Sequence, residues 1–503
     1  MLHFRPSNLR LPIDPIWPSV DVKTPNTVFS ERPPLRTLIV AIDHEIADQA
    51  TDDLDDELGL LVGLLSHDFI TTLLYADAGP PAGTPRHTSP IGDSVPGWLV
   101  VDAPSDDGFS YPVVRSDGQH IMQSAFLGDH VRAAESDATN PAYAEGTPEQ
   151  AAQRRRADAI AIRAAFAAGA DLFITSRPYL HAVTWDLSSG VLVAGPEDAL
   201  AVVALYLRTQ GVFDTYRSLD GHAVSSVNRG LFYWIATRSL LPAGWRWFAA
   251  CRQHAGDDTS LAYLSQSAFT RVQRALEARD AVHRALNQPQ HNDTAELALS
   301  NLDVVLITLM GGLDVSARIA HLTLQLPANR TFSAGWQNPT WLEAAVAAEP
   351  ALAEVFAPEG WNTTVVRVLG RLRNAVHAAA PAPLSVSTPG VGRQATMVSF
   401  PHTDGEQLAG WMDRLGGRDA WGMTSVLSGR YHADPSALLE QLFPAAVAVI
   451  DRTMAATPVE RLPGVHLTTE HCEPSKREEF APWQRASIVR QLALGPPPPH
   501  TLL

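Results

Sequence analysis

The stretch from Arg156 to Tyr179, RADAIAIRAAFAAGADLFITSRPY, constrains the fold more than any other part of the chain. It places an acidic residue, Asp158, at the start of an Ala-rich helical run. Ile160, Ile162, Ala164, Ala165, Phe166 and Ala168 give that run two apolar faces, which predicts a helix packed on both sides. Gly169 is the expected helix stop. Leu172 to Thr175 then form a short buried strand with Asp171 at its entrance. Helix, stop and strand in this order are half of a doubly wound α/β unit, which collects charge at one edge of its sheet.

Other segments supply the rest of such a sheet. The run LIVAID ends in Asp43 and has the continuous apolar character of a parallel strand buried on both faces. Strands are also expected at 69–75, 98–101 and 191–193, and helices at 52–67 and 196–208. Together these predict a parallel-sheet α/β domain over residues 35–215. A Pro-rich arm precedes it at 1–34, and a polar insertion interrupts it near 103–150. Beyond it the pattern turns helical. A connector at 216–260 carries Trp234, Trp245 and Trp247 as core anchors. A mainly α-helical domain follows at 261–457, with helices at 265–286, 295–324, 341–356, 363–379 and 436–454. Gly311-Gly312 in the second of these predicts close packing or a break. A small β-hairpin is expected over 383–400 around Pro389-Gly390-Val391-Gly392. Residues 458–503 read as an irregular tail.

Two constellations carry chemistry. Asp43 at a strand end and Asp158 at a helix start would share the carboxyl edge of a parallel sheet. Phosphodiester hydrolysis needs an activated water and a neutralised transition state, and carboxylate-bound Mg²⁺ or Mn²⁺ supplies both. Asp171 is a third candidate but precedes its strand, so it ranks below the other two. Glu135, Glu145 and Glu149 are open choices for a middle acid. The plain alternative is that these acids only cap their elements. The second constellation is Arg371, Arg373, Asn374 and His377. Arg373 and His377 are four residues apart and share a helical face. An Arg can stabilise a pentavalent phosphate and a His can move a proton near neutral pH, which is enough to cleave RNA through its own 2′-hydroxyl. A basic surface at a helix C-terminus is the plain alternative.

The first constellation resembles a PIN-like nuclease domain. The matching residues are Asp158, Gly169-Ala170-Asp171, Leu172 to Ile174 and Thr175, the upstream strand into Asp43, and Val191-Leu192-Val193 before Pro196-Glu197-Asp198. The resemblance implies a metal-dependent ribonuclease with Asp43, Asp158 and Asp171 around Mg²⁺ or Mn²⁺. Ser176 or Arg177 stands where that family carries a further acid. The second constellation resembles the Arg-Asn…His signature of HEPN-like helical domains. That likeness implies a metal-free RNase acting as a homodimer, with Arg371 or Arg373, Asn374 and His377 in its site. Three residues separate Arg373 from His377 and five separate Arg371 from it, against a family spacing of four to six. Two expectations follow. One is a ribonuclease-like toxin or phage-defence effector acting on RNA, held in check by a regulatory partner protein. The other is a catalytically degenerate nucleic-acid-sensing or scaffold protein built from the same two modules.

Bulk composition narrows the setting. A formal net charge of -16 argues against an overall electrostatic grip on nucleic acid, though a local basic groove is compatible with it. The two cysteines, Cys251 and Cys472, exclude a disulfide framework or a Cys-based zinc site and suit a cytoplasmic protein with reduced thiols. No uninterrupted apolar run approaches the ~20 residues of a membrane helix, and no signal peptide is expected at the N-terminus. Arg154-Arg155-Arg156 reads as a solvated helix end or as a phosphate grip beside Asp158.

Overall fold

The computed structural model describes residues 37–50, 53–77, 96–101, 111–115, 120–123, 146–182, 191–219, 221–255, 260–288, 291–378, 382–387, 394–427, 430–472 and 482–492. The expected arm, Glu135 and Glu145, most of the insertion and the turn at 389–392 lie outside the described residues. The α/β unit contains β1 (Leu38–Asp43), α1 (His44–Gln49), α2 (Glu57–Leu64), β2 (Ile70–Tyr75), β3 (Gly97–Val101), β4 (Tyr111–Arg115), β5 (His120–Gln123), α3 (Pro148–Ala167), β6 (Leu172–Ile174), α4 (Pro178–Ala182), β7 (Leu192–Ala194) and α5 (Pro196–Thr209). The strand order is β5-β4-β3-β2-β1-β6-β7. The five strands from β3 to β7 in that order are parallel, and β4 and β5 extend the β3 edge antiparallel.

Strand alternation sorts the core into two layers. Val40, Ile42, Leu172 and Ile174 face one cluster with Leu60, Leu61, Ala199 and Val203 of α2 and α5. Ala41, Leu73, Tyr75 and Phe173 face the other, with Ala161, Ile162 and Ala165 of α3. Both faces are therefore covered, as a parallel sheet requires.

Helix α3 departs from its expected start. Thr147 caps it, accepting from Gln150 N while Gln150 returns a bond to the cap, and Pro148 occupies the first turn. Asp158 therefore sits in mid-helix and does not open it. The stop is as expected. Gly169 has φ 73°, and the amides of Gly169 and Ala170 close on the carbonyls of Phe166 and Ala165, each at 2.9 Å. Phe166 is 39% exposed beneath the Arg163 guanidinium, so the outer side of the helix meets solvent there.

A hairpin, β8 (Asp214–Leu219) and β9 (Gly221–Ser226), takes the start of the expected connector at 216–260, and helices occupy most of its remainder. The dipeptide Asp220-Gly221 is the signal that announces it. The helical unit follows with α6 (Arg229–Leu240), α7 (Ala243–Ala255), α8 (Ser260–Leu286), α9 (Asn292–Thr323), α10 (Pro339–Ala348), α11 (Pro350–Val355), α12 (Trp361–Ala378), β10 (Ala382–Ser387), β11 (Gln394–Phe400), α13 (His402–Arg414), β12 (Met423–Leu427), β13 (Arg430–Ala433), α14 (Pro435–Ala456), α15 (Thr469–Cys472) and α16 (Pro482–Gln491). The expected hairpin proves to be half of a four-stranded antiparallel sheet, ordered β10-β11-β13-β12. Asp434, not Ser436, caps α14. The tail is not wholly irregular, because α16 docks on α6 and β8.

One core runs from Phe232 to Leu492. Trp247 is fully buried in it. Trp234 and Trp245, with Phe248 and Phe269, box the Arg238 guanidinium at 4.4–4.9 Å. Helix α9 is long and apolar enough to cross a membrane, but 61% of its most apolar window is buried inside the protein. Its Gly311-Gly312 pair does not break it. The Arg271 side chain lies across Gly311, and Ile450 approaches Gly312.

Candidate functional site

The parallel strand order reverses direction of growth between β1 and β6, the point at which α/β sheets of this kind place ligands beyond the carboxyl ends of their strands. Asp43 ends β1 and Thr175 directly follows β6. Asp158 reaches the same edge from mid-helix. Nine helical steps from Asp158 to Ala167 span about 14 Å, and four strand steps from Asp171 back up to Thr175 span about 13 Å. The Gly169 stop turns one into the other, so Asp158 and Thr175 arrive level.

A third acid, Asp77, arrives from β2, two residues past its last strand position. All three acids converge on one cation, Arg177. Its Nε lies 3.2 and 3.1 Å from the two Asp43 oxygens. Its Nη1 donates to Asp158 Oδ1 at 3.1 Å and to Asp77 Oδ2 at 3.3 Å. Its Nη2 donates to Asp77 Oδ1 at 3.1 Å and to Asp43 Oδ1 at 3.2 Å. The backbone is shaped for this. Thr175 Oγ1 donates to Asp43 Oδ2 at 2.5 Å and accepts from Arg177 N at 3.1 Å, so the chain folds back over Asp43. Tyr75 underlies the guanidinium at 5.5 Å. His181 of α4 binds the Thr175 carbonyl at 2.7 Å.

Burial works against the charge on Arg177, but the carboxylates of Asp43, Asp77 and Asp158 outweigh it and raise its pKa. The guanidinium stays protonated at every pH the fold survives. Three carboxylates and one guanidinium leave the centre formally at -2. Every acid in it already accepts from Arg177. As arranged, the site fits a planar, forked cation and does not fit a divalent metal ion. Among the described residues, no group of three or more His, Cys, Asp or Glu side chains is placed to hold one.

Asp171 is not part of this centre. Its Oδ2 accepts from Ile39 N at 3.0 Å, at the opposite edge of the sheet, where it ties the start of β6 to the start of β1. Glu149 is exposed in the first turn of α3. Within the Arg154–Arg156 run, which lies inside α3, Arg154 is exposed, Arg156 is half-buried and Arg155 is buried. Sequence reasoning missed Asp77 and assigned Arg177 only as a missing acid. Asp77 follows an apolar strand much as Asp43 does, and that placement was the available signal.

Of the α12 constellation, the side chains of Arg371, Arg373 and Asn374 are described. Arg371 is paired with Asp404 of α13. Arg373 Nη1 donates to the adjacent Asn374 Oδ1 at 3.2 Å, and Asn374 is exposed. His377 lies in the last turn of the helix, and its side chain is outside the described residues.

A second ionic cluster joins the two units. Arg208 of α5 donates to Asp280 of α8 at 2.7 Å, and Tyr233 of α6 donates to the same oxygen at 2.7 Å. Arg279 forks onto Glu440 of α14 at 2.9 and 2.8 Å. Glu440 also meets His283 at 2.6 Å, with Ser436 behind the ring at 3.5 Å. Burial opposes the charge on Glu440, but Arg279 and His283 hold its carboxyl down at about 2. Ser436, His283 and Glu440 line up as in nucleophilic catalysis, yet Ser436 is 0% and His283 1% exposed, so no substrate reaches them. The cluster is a structural clamp. Its arginines also hold the end of α16, Arg208 through Gln491 O at 3.0 Å and Arg279 through Leu492 O at 3.2 Å.

Against this geometry, no family model, no curated protein and no solved structure matches the chain.

Proposed function

We propose that the protein is a catalytically silent nucleic-acid-sensing or scaffold protein, with an α/β unit of nuclease-like layout in which an internal arginine takes the place of metal. One observation carries this reading: Arg177 lies within 3.3 Å of carboxylate oxygens of Asp43, Asp77 and Asp158. A guanidinium neutralises such acids permanently and activates no water. The unit then serves for shape and assembly.

A second reading is favoured by the same three acids, since converging carboxylates are what Mg²⁺ or Mn²⁺ requires. In it the ion displaces Arg177 and the chain is a metal-dependent ribonuclease. Cleavage of single-stranded RNA and tRNA with Mn²⁺, Mg²⁺ or EDTA separates the two. The silent reading expects no metal-dependent cleavage by the wild type, and calorimetric Mn²⁺ binding only after Arg177→Ala. Cleavage by the wild type that needs Mn²⁺ and disappears in Asp158→Asn overturns it. Metal-free cleavage lost in His377→Ala assigns the chemistry to α12 instead.

A further inference from the structure

Away from the carboxylate centre, three helices of the helical unit each bring one arginine to a single half-buried acid. On α9, Gly311, Asp314 and Arg318 fall at positions i, i+3 and i+7 and share a face. From α8, Arg271 lies flat across Gly311, so close that a Cβ there would stand 1.9 Å from its Nη1. From α12, Arg373 follows Gly370 by one turn. The Gln337 side chain sits over Gly370, where a Cβ would be 2.6 Å from its Oε1, and donates to Met310 Sδ on α9 at 2.7 Å. That contact sets the turn holding Arg373 against the turn holding Asp314. The 335–337 loop closes one side, with Asp314 Oδ1 3.9 Å from the Cβ position of Gly335.

The hydrogen bonding of these arginines is unlike that of their neighbours. Arg279, Arg246 and Arg371 are tied to carboxylates. Arg271 donates only to Ser267 Oγ at 3.3 Å, on its own helix, and Arg373 only to Asn374, among the described residues. Arg318 is exposed and makes no hydrogen bond or ion pair among them. Asp314 lies within electrostatic reach of all three; burial raises its pKa although Arg373, Arg318 and Arg271 pull it down. One carboxylate cannot satisfy three forked donors, so the cluster has positive charge and N–H groups to spare.

We propose that Arg271, Arg318 and Arg373, arranged around Asp314, form a binding site for a phosphate group. Guanidinium forks match phosphate oxygens in shape and charge. The site belongs to the helical unit and does not depend on whether the carboxylate centre is silent.

The test is titration of the full chain with inorganic phosphate and with a short single-stranded oligonucleotide, read by calorimetry and by salt dependence. At least one probe should bind. Arg318→Gln and Arg373→Gln should each weaken it about tenfold, the loss of one charge-assisted bond. Arg371→Gln, on the same helix but tied to Asp404, should leave it unchanged. Asp314→Asn removes the competing anion and should tighten binding several-fold, a gain that misfolding does not produce. Thermal melts confirm that each variant is folded. Preference for phosphate marks a small ligand, and preference for the oligonucleotide marks a nucleic-acid backbone; both support the site. No binding by either probe, or equal affinity in wild type and both Arg→Gln variants, overturns it.

Discussion

Arg177 and Asp451 show how far single residues set the behaviour of this chain. Removing Arg177 leaves three acids facing one another, and breaking such a partly buried cluster costs about 3 kcal/mol. Arg177→Ala should therefore lower the melting temperature, and millimolar Mn²⁺ should restore part of the loss by replacing the missing charge. Asp451 poses the opposite problem. Its Oδ1 accepts from Ala243 N, at the start of α7, at 2.8 Å. Burial pushes its carboxyl up from 3.8 to about 6, against the pull of that bond and of Arg452. The folded chain then keeps a proton that the unfolded chain releases, so this group's contribution falls as pH rises from about 4 to about 6. Asp451→Asn keeps the acceptor and removes the penalty. It should gain about 2 kcal/mol at neutral pH and nothing below about pH 4, as read from denaturant midpoints at the two pH values. Neither effect is legible in the sequence. Arg177 was visible there only as the wrong residue type, because nothing local says that Thr175 will fold the chain back over Asp43.

At the scale of elements, legibility followed the strength of the local pattern. Strands β1, β2, β3, β6 and β7 are short apolar runs buried on both faces, and helices α8, α9, α12 and α14 have long apolar stripes; all of these could be read. The start of α3 could not, since Asp158 offers a cap as good as Thr147 until Pro148 and the Gln150 bond decide between them. The small sheet was half seen because β12 and β13 are short, and β13 gains its register from β11. Helix α13 docks on that sheet through Gly405, whose missing Cβ makes room for Tyr431, 2.5 Å from where it would stand. Tyr431 presents its Cβ and ring base there and cannot swing away. Gly405→Ala should cost about 2 kcal/mol by overpacking, despite the better helix propensity of Ala. Gly311→Ala makes the contrast, because only the mobile end of Arg271 is in the way. That variant should melt at or above the wild type while displacing the guanidinium, which circular dichroism and the phosphate titration together detect.

At the scale of the whole molecule, the buried clamp of Arg208, Asp280, Arg279 and Glu440 joins helices α5, α8 and α14 to the end of α16. No window of sequence foretells it, for its paired members lie 72 and 161 residues apart and each looks like an ordinary helix charge. Glu440 is held near 2 in the folded chain against 4.5 otherwise, so its contribution is full above about pH 4.5 and drains away as pH falls towards 2. Arg279→Met should shrink that acid-limb dependence to the part His283 supplies and cost about 3–5 kcal/mol at neutral pH, since it strands Glu440 without its fork. Deleting residues 482–503 should loosen both units together, which hydrogen exchange would register as lost protection in α5 and α8 at once. The two carbonyls that Arg208 and Arg279 grasp belong to Gln491 and Leu492, at the end of the last described helix. On a translating ribosome Arg208 and Arg279 meet Asp280 and Glu440 first, and the bonds to Gln491 and Leu492 can form only after residue 492 has emerged. The joint is thus completed in two stages, ion pairs between helices first and the grip on the end of α16 last.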